Sequence, residues 1–251
     1  MAVSFASDAP PRVFVKGTGD HSWSEPAVPF EVRSKTYVTD KVKVDSDASL
    51  MTLVDADIVL VTGSKNSLKI DHFSKRPDSY AYYLREVCKD QRRMLVVVFQ
   101  VHPRYLVLTY VETDRPANER IEAGKLLDRF FGTEWSDDDR GHRLKLIPRI
   151  ENFSVPGVNL NRPTIIANKL SCQFFRSDNL VEVDINVFSS RVAKFIYGYV
   201  EGAAAKLIID LGFTLEGLTP EELPERTLGA VRLVKVNMSE DKTRKVEEPT
   251  S

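Results

Sequence analysis

Long apolar runs in the middle and at the end of the chain predict strands more often than helices. Leu50–Thr62, Met94–Val101 and Tyr105–Glu112 are rich in β-branched and aromatic residues, which pleated sheets favour. The last two runs flank residues 102–104, and a short Pro-containing turn between such runs predicts a β-hairpin. Met94–Val101 is apolar at almost every position, so we expect it at the centre of a sheet that is covered on both faces.

Weaker patterns add further strands and two helices. Tyr37–Val44 alternates like a half-buried strand, and Leu144–Ile150 and Ala230–Asn237 are further strand candidates. Helical spacing of apolar residues recurs over Ser79–Asp90 and Asn118–Gly132. Because the helices are inserted between hairpins and do not follow every strand, the order predicts an α+β fold with a mainly antiparallel sheet. A doubly wound parallel sheet is disfavoured.

The segment Leu170–Val231 joins a strand to an amphipathic helix. In Val181–Val187 apolar and polar residues alternate without a break, which places them on opposite faces of a strand. Two serines that can cap a helix follow, and apolar residues then recur at three- and four-residue steps. We expect a long helix over Ser190–Asp210 with the sheet curved around it, in a helix-grip-like arrangement. The alternative is that Leu207–Gly217 leaves the helix as a strand.

Two glycines stand four residues apart on one face of this expected helix. Gly198 and Gly202 each cost about 1 kcal/mol of helix propensity relative to alanine. Tight packing against a neighbouring element is the preferred explanation. Close approach to a bound ligand is the alternative.

Composition and charge remove several classes of function. The chain has 251 residues, 42% hydrophobic and 28% charged, which suffices for a sizeable core. Its 35 basic and 36 acidic residues give a net charge of −1 and form only short basic clusters, which disfavours nucleic-acid binding. The four histidines lack ligand spacing, and no phosphate loop or nucleophile elbow is present. The sequence therefore predicts no catalytic residue, no metal and no cofactor.

The composition of the terminal segments predicts the domain bounds, and the cysteines bear on the subcellular location. We expect a flexible N-terminus over residues 1–11, a single domain over 12–238 and a disordered charged tail over 239–251. Cys88 and Cys172 are interpreted as buried free thiols in a reducing compartment, with a disulfide between them as the alternative. The absence of a secretory pattern and of a long uncharged apolar run predicts a cytoplasmic protein.

One pair of carboxylates is a candidate for catalysis. Glu182 and Asp184 would stand about 6–7 Å apart along one strand face, which suits general acid/base chemistry or a metal pair. A solvated strand face, or ion pairs with Arg176 and Arg191, is the preferred interpretation. Enzymatic activity is therefore the least favoured hypothesis.

Several short motifs match one family in combination. They are CQFFR at 172–176, EVDI at 182–185, SSRVA at 189–193, ELPER at 222–226 and LGAV at 228–231, with FEVR at 30–33 and RLKLIP at 143–148. Together they make residues 22–237 resemble the C-terminal domain of the plant protein Enhanced Disease Resistance 2, in a stand-alone form of algal or protist type. The family context implies non-enzymatic binding of a lipid or another hydrophobic molecule, with the protein peripheral to a membrane surface.

This expectation selects two groups of candidate site residues. The candidates for lining an apolar pocket are Tyr83, Phe99, Tyr110, Phe174, Phe195, Gly198, Tyr199 and Gly202. The candidates for contacting a lipid headgroup are Arg33, Arg176 and Arg191. Core packing or surface charge is the competing explanation for each. The alternative function is a scaffold that binds another protein through a sheet edge or the turn Glu221–Arg226, and the sequence does not indicate an oligomeric state.

Overall fold

Two six-stranded sheets that pack against each other form the body of the protein. The computed structural model describes residues 9–62 and 72–247. The strands in these ranges are β1 Val15–Lys16, β2 Ser22–Ser24, β3 Glu31–Arg33, β4 Lys43–Asp45, β5 Met51–Thr62, β6 Met94–Val101, β7 Arg104–Glu112, β8 Leu144–Ile150, β9 Thr164–Ile165, β10 Ser171–Ser177, β11 Leu180–Asn186, β12 Ile208–Leu215, β13 Thr227–Val234 and β14 Arg244–Glu247. The helices are α1 Tyr37–Asp40, α2 Tyr80–Tyr82, α3 Arg115–Asn118, α4 Glu122–Phe131, α5 Asp137–Arg143 and α6 Arg191–Ala203.

Most neighbouring strands run antiparallel, but both large sheets are mixed. The first sheet has the order β1-β2-β13-β12-β8-β9, and the second has the order β10-β11-β6-β7-β5-β14. Parallel pairing occurs between β1 and β2, β11 and β6, and β14 and β5. The small hairpin β3–β4 stands apart. The predicted α+β class and mainly antiparallel pairing are thus confirmed.

The space between the two sheets holds the largest apolar cluster. The rings of Phe99 on β6 and Phe213 on β12 lie 6.2 Å apart, centroid to centroid. Tyr110 on β7 packs against the backbone of Gly229 on β13, where a Cβ would come within 2.5 Å of the tyrosine ring. Only glycine fits at residue 229 without moving that ring, so this residue sets the spacing of the sheets.

Other elements cover the outer faces of the two sheets. Helix α2 continues as a π-helical turn, Tyr83–Val87, and buries Tyr83 and Leu84 against the second sheet. The β3–β4 hairpin places Val32 on the first sheet beside Ile147. The central strand β6 is therefore buried on both faces, as its continuous apolar sequence predicts.

The two ends of the sandwich are closed differently. At one end α4 inserts Leu126, Leu127 and Phe130 into the core between the sheets, and all three are fully buried. At the other end lies α6, none of whose residues is fully buried. The helix ends at Ala203, and the chain continues as β12, so the strand alternative for this segment is the correct one.

The helix-grip-like arrangement is not confirmed. The expected long helix over Ser190–Asp210 is a 13-residue helix on the outside of the protein. The sheets pack on each other between β6 and β12, and that space is already filled by aromatic side chains. A sheet that is covered by a second sheet has no room for a central helix.

Segments near both ends of the described ranges are bound to neighbouring acidic residues of β5. Arg12 contacts Asp55 at 2.9 Å, and Arg244 contacts Asp57 at 2.6 Å. Arg244–Glu247 also pairs with β5 and buries Val246. The expectation of a disordered tail therefore does not hold for residues 240–247, because one apolar side chain and backbone pairing anchor a segment that is otherwise charged. Residues 1–8 and 248–251 lie outside the described ranges.

The stability of the folded protein should depend on pH through Asp55, which contacts Arg12. Burial outweighs the ion pair with Arg12 and raises the pKa of Asp55 to about 6 from an ordinary value of 3.8. The folded state therefore binds a proton more tightly than the unfolded state does. This proton therefore adds to the free energy of unfolding. Its contribution, up to about 3 kcal/mol, is complete below about pH 4 and is lost as the pH rises through about 6.

Asp55→Asn should remove this component of the pH dependence. Urea unfolding of the variant and the wild type at several pH values between 4 and 7 would measure it, with exposed Asp45→Asn as the matched control. If Asp55→Asn leaves the slope of stability against pH unchanged, Asp55 is not the titrating group.

Candidate ligand-binding site

An apolar cavity of about 200 Å³ lies beneath α6, at the end of the sandwich that this helix covers. Both sheets and the helix contribute to its wall. The apolar lining residues are Ile58, Phe99, Val101, Leu106, Ile150, Val187, Tyr197, Val200, Ala204, Ile209, Leu211, Leu233, Val236 and Met238.

Local sequence explains why α6 stands over this cavity. Strand β11 ends at Asn186, whose side-chain oxygen accepts a hydrogen bond from the backbone N–H of Phe188 at 3.0 Å and starts a short turn. Ser190 then caps α6 by accepting from the backbone N–H of Ala193 at 3.3 Å. The inner face of the helix carries Tyr197 and Val200, and Ala204 in the turn directly after the helix continues this face.

One polar cluster borders the apolar wall. The Tyr197 hydroxyl donates to Glu201 at 3.2 Å, and Glu201 lies 3.5 Å from Arg104 at the start of β7. Burial raises the pKa of Tyr197, and Glu201 adds to the shift, so the hydroxyl stays protonated and acts as a donor. The Nε of Arg104 is buried and has no hydrogen-bond partner among the described residues. This guanidinium contacts the helix that covers the cavity through Glu201.

Three larger concavities among the described residues have a different character. They have volumes of about 370 Å³ between the loops at 25–30 and 46–52, about 580 Å³ around Asp137 and His142, and about 220 Å³ around Lys75 and Arg85. All three are lined by many charged or hydroxyl-bearing residues. Sites for hydrophobic molecules are concave and predominantly apolar. The cavity beneath α6 is therefore the better candidate, although it is smaller.

The aromatic candidates from the sequence do not meet at one site. Phe99 lines the cavity. Tyr110 lies deeper between the sheets, and Phe174 packs on Phe130 with the ring centroids 6.3 Å apart. Tyr83 is on the far side of the second sheet, where its ring lies 5.6 Å from that of Tyr80.

The candidates on α6 point away from the cavity. Phe195 and Tyr199 are 54% and 47% exposed, and a Cβ added at Gly198 or Gly202 would meet nothing within 4 Å. The interpretation of both glycines as sites of tight packing is wrong. Apolar spacing shows that a helix has an apolar side, but it does not show whether that side faces the protein or the solvent.

The three candidate arginines are also dispersed. Arg33 donates to Glu216 at 2.5 Å and to the carbonyl of Gly217 at 2.8 Å, so it is a structural residue. Arg176 lies 3.3 Å from Asp137 at the opposite end of the sandwich. Arg191 is exposed in the first turn of α6.

Both candidate catalytic carboxylates are buried, and Glu182 holds a neighbouring segment in place. Glu182 accepts hydrogen bonds from the backbone N–H groups of Phe73 and Ser74, at 2.6 and 2.8 Å, and from the Ser74 hydroxyl. Asp184 accepts from the side-chain amide of Gln100 at 3.0 Å. The interpretation of a solvated strand face is wrong, because the segment that carries Phe73 covers this face of β11. Neither carboxylate forms an ion pair with Arg176 or Arg191.

The turn Glu221–Arg226 directs two of its acidic groups, Glu222 and Glu225, inward. Glu222 contacts Arg143 at 2.8 Å and Arg129 at 3.0 Å. Burial raises the pKa of Glu222, but the hydrogen bonds and charge of Arg143, together with backbone hydrogen bonds at Leu218 and Thr219, outweigh that effect and the net pKa is lowered. These contacts explain the motif by the ion pairs of Glu222 with α4 and α5, which hold the turn in place. They do not favour it as a surface that recognises another protein.

Glu225 in the same turn is the centre of a buried polar cluster. Both of its carboxylate oxygens lie 2.7 Å from the Lys145 ammonium. It also accepts hydrogen bonds from the backbone N–H groups of Arg33 and Gly217, each at 3.1 Å. Burial lowers the pKa of Lys145, and the contact with Glu225 opposes that shift.

Within the described parts of the chain, no cluster of three or more His, Cys, Asp or Glu residues is arranged to hold a metal ion. Over the same ranges, no helix has both the length and the apolar character needed to cross a membrane. Cys88 and Cys172 are free and do not form a disulfide. Cys88 is exposed, whereas burial raises the pKa of Cys172 to about 12.

Sequence reasoning missed most of the cavity wall. The inner face of α6 was detectable, because Tyr197, Val200 and Ala204 recur at the same spacing as the outer residues. The other wall residues come from the ends of strands in two sheets. Their assembly depends on which strand ends face each other, and local periodicity does not contain that information.

The fold and the cavity define a class: an α+β protein in which two mixed sheets form a sandwich with an apolar cavity under one external helix. The family model described as Protein ENHANCED DISEASE RESISTANCE 2, C-terminal, matches residues 23–237. The chain belongs to this family, as its motifs suggested. It is 31% identical over 215 residues to a curated Arabidopsis thaliana protein named Protein ENHANCED DISEASE RESISTANCE 2-like. That match covers 84% of this chain but only 28% of the relative. No solved structure matches the chain.

Proposed function

We propose that this protein binds a lipid or another hydrophobic molecule, without catalysis, in the cavity beneath α6. The carrying observation is the wall of that cavity, which is formed by aliphatic and aromatic side chains from both sheets and the helix. Such a wall binds by removing apolar surface from water, at about 25 cal/mol for each Å² buried. The free thiols of Cys88 and Cys172 are consistent with a cytoplasmic location.

The size of the cavity limits the ligand. An apolar cavity of roughly 150 Å³ holds one benzene, whereas sites for drug-sized molecules occupy about 300–1,000 Å³. At about 200 Å³ the cavity accommodates the end of an acyl chain or a ring. A complete lipid requires α6 to move outward, and its half-buried inner face and external position make this helix the wall that can move.

The polar end of the ligand would lie near Arg104. Its guanidinium is bound to Glu201 at 3.5 Å, and its Nε has no hydrogen-bond partner among the described residues. A carboxylate or phosphate at this position would gain charge-assisted hydrogen bonds. The proposed ligand is therefore an amphipathic molecule with an anionic headgroup.

Filling the cavity should weaken ligand binding. Ala204→Phe places a phenyl ring in the cavity, because Ala204 is 4% exposed and lines the wall. We expect its affinity for a fluorescent fatty acid such as parinaric acid, titrated in buffer without vesicles, to fall by about tenfold or more, equivalent to about 1.4 kcal/mol.

Ala205→Phe is the matched control, because the adjacent Ala205 is exposed and does not line the cavity. Circular dichroism shows whether each variant folds, and Leu211→Trp fills the cavity from the opposite wall if Ala204→Phe does not fold. Wild-type affinity in a folded, filled variant, or no binding by the wild type, would refute the proposal.

A further inference from the structure

The outer face of α6 exposes a continuous apolar surface. Val192, Phe195 and Tyr199 lie on one side of the helix, and their exposed fractions are 63%, 54% and 47%. The rings of Phe195 and Tyr199 contact each other with the centroids 4.9 Å apart. They are the two exposed aromatic residues in the described ranges 9–62 and 72–247. Single exposed apolar residues need no explanation, but a cluster of two rings and a valine does.

The glycines of α6 enlarge this surface. Gly198 and Gly202 lie on the same side of the helix as Phe195, and nothing stands within 4 Å of the direction in which a side chain would extend. Each costs about 1 kcal/mol of helix propensity without any gain in packing inside the protein. The outer face is consequently flat and free of bulky polar side chains between the aromatic rings.

The charges around this surface are basic. Arg191 and Lys194 are exposed on the first turn of α6. Glu201, the single acidic residue of the helix, is directed to Tyr197 and Arg104. Long basic side chains reach the headgroup level of a bilayer while aromatic rings enter its interface. This pattern is complementary to a lipid surface that carries negative charge.

The attachment of α6 to the protein permits this contact. The ion pair between Arg104 and Glu201 is the one ion pair of the helix within the described ranges, and both side chains are partly exposed. Such pairs contribute little to stability. The helix separates the apolar outer surface from the apolar cavity, so its outward movement at a bilayer would connect the cavity to the lipid.

We propose that the outer face of α6, formed by Val192, Phe195, Gly198, Tyr199 and Gly202, docks onto the surface of an anionic bilayer. The helix lies in the plane of the interface, with the two rings inserted and Arg191 and Lys194 among the headgroups. Docking uses side chains that do not line the cavity, so it goes beyond the ligand-binding function and does not require a ligand inside the protein.

Co-sedimentation of the full chain with vesicles tests the docking surface. The wild type should bind phosphatidylcholine vesicles that contain phosphatidylserine, and it should bind pure phosphatidylcholine vesicles more weakly. The double variant Phe195→Ser/Tyr199→Ser should lose about tenfold or more in partitioning, because two side chains no longer bury apolar area. Val28→Ser/Leu218→Ser is the matched control, since both residues are apolar and exposed on other parts of the surface.

A charge variant tests the electrostatic part separately. Lys194→Glu should weaken binding to the anionic vesicles, and added salt should reduce the difference from the wild type. Lys43→Glu makes the same charge change at an exposed residue on the β3–β4 hairpin and should bind like the wild type. Equal weakening by both variants would show a nonspecific effect of net charge and would overturn the assignment to α6.

Two further outcomes would overturn the proposal. One is wild-type vesicle binding that the Phe195→Ser/Tyr199→Ser variant retains. The other is a wild-type dimer that this variant converts to a monomer in light scattering, because the face would then join two copies of the chain. Parinaric acid binding in buffer should be unchanged in the double variant, so a failure of docking is distinguishable from a failure of ligand binding in the cavity.

Discussion

Glu225→Ala should destabilise the folded protein by about 3–5 kcal/mol, the usual cost of removing one partner from a buried ion pair. Glu225 is 3% exposed and lies 2.7 Å from Lys145. Its removal leaves the Lys145 ammonium without its partner in the interior. It also leaves the backbone N–H groups of Arg33 and Gly217 without their acceptor.

The midpoint of urea unfolding, measured with an unchanged slope, would give this loss of stability. The matched control is Glu221→Ala, four residues earlier in the same turn, because Glu221 is exposed. A variant Glu225→Ala with the stability of the wild type would mean that the buried cluster does not hold the turn on β8.

Glu182→Ala should destabilise the protein by about 3 kcal/mol or more, since each buried donor that loses its acceptor costs about 1–3 kcal/mol. Three donors on Phe73 and Ser74 depend on this carboxylate. Glu182→Gln retains one acceptor oxygen and should therefore lose less stability than Glu182→Ala does.

Hydrogen exchange can locate the effect of Glu182→Ala. The amide protons of Phe73 and Ser74 should exchange faster in this variant, whereas Gln173→Ala, an exposed residue on the neighbouring strand β10, should leave them protected. Unchanged protection at Phe73 and Ser74 would remove the structural role assigned to Glu182.

The sequence predicts correctly those strands whose residue types and alternation of apolar and polar side chains are recognisable within a few residues. Leu144–Ile150 is a strand with the predicted bounds, and the β6–β7 hairpin surrounds the turn at 102–104. In each case the residue types and the local period already specify the backbone. The expected strand Tyr37–Val44 is wrong, because Tyr37–Asp40 forms a helical turn and the strand starts only at Lys43.

Long-range contacts decided what the sequence left open. Glu182 looks like a solvent-facing strand residue until the segment of Phe73, 109 residues away in the chain, is placed over it. Val246 is too isolated to predict a strand, yet pairing with β5 makes one. The wall of the cavity has the same origin, since Phe99 and Leu211 approach only after the two sheets have packed.

The attachment of Arg12 and Arg244 to adjacent acidic residues of β5 has a consequence for how this domain can be joined to other domains. A chain that enters near one of these arginines and leaves near the other does so at neighbouring points of one strand. Domains with adjoining ends can be inserted into a loop of another protein without separating the halves of the host. The described part of this chain, from Arg12 to Arg244, therefore has the adjoining ends that such an insertion requires.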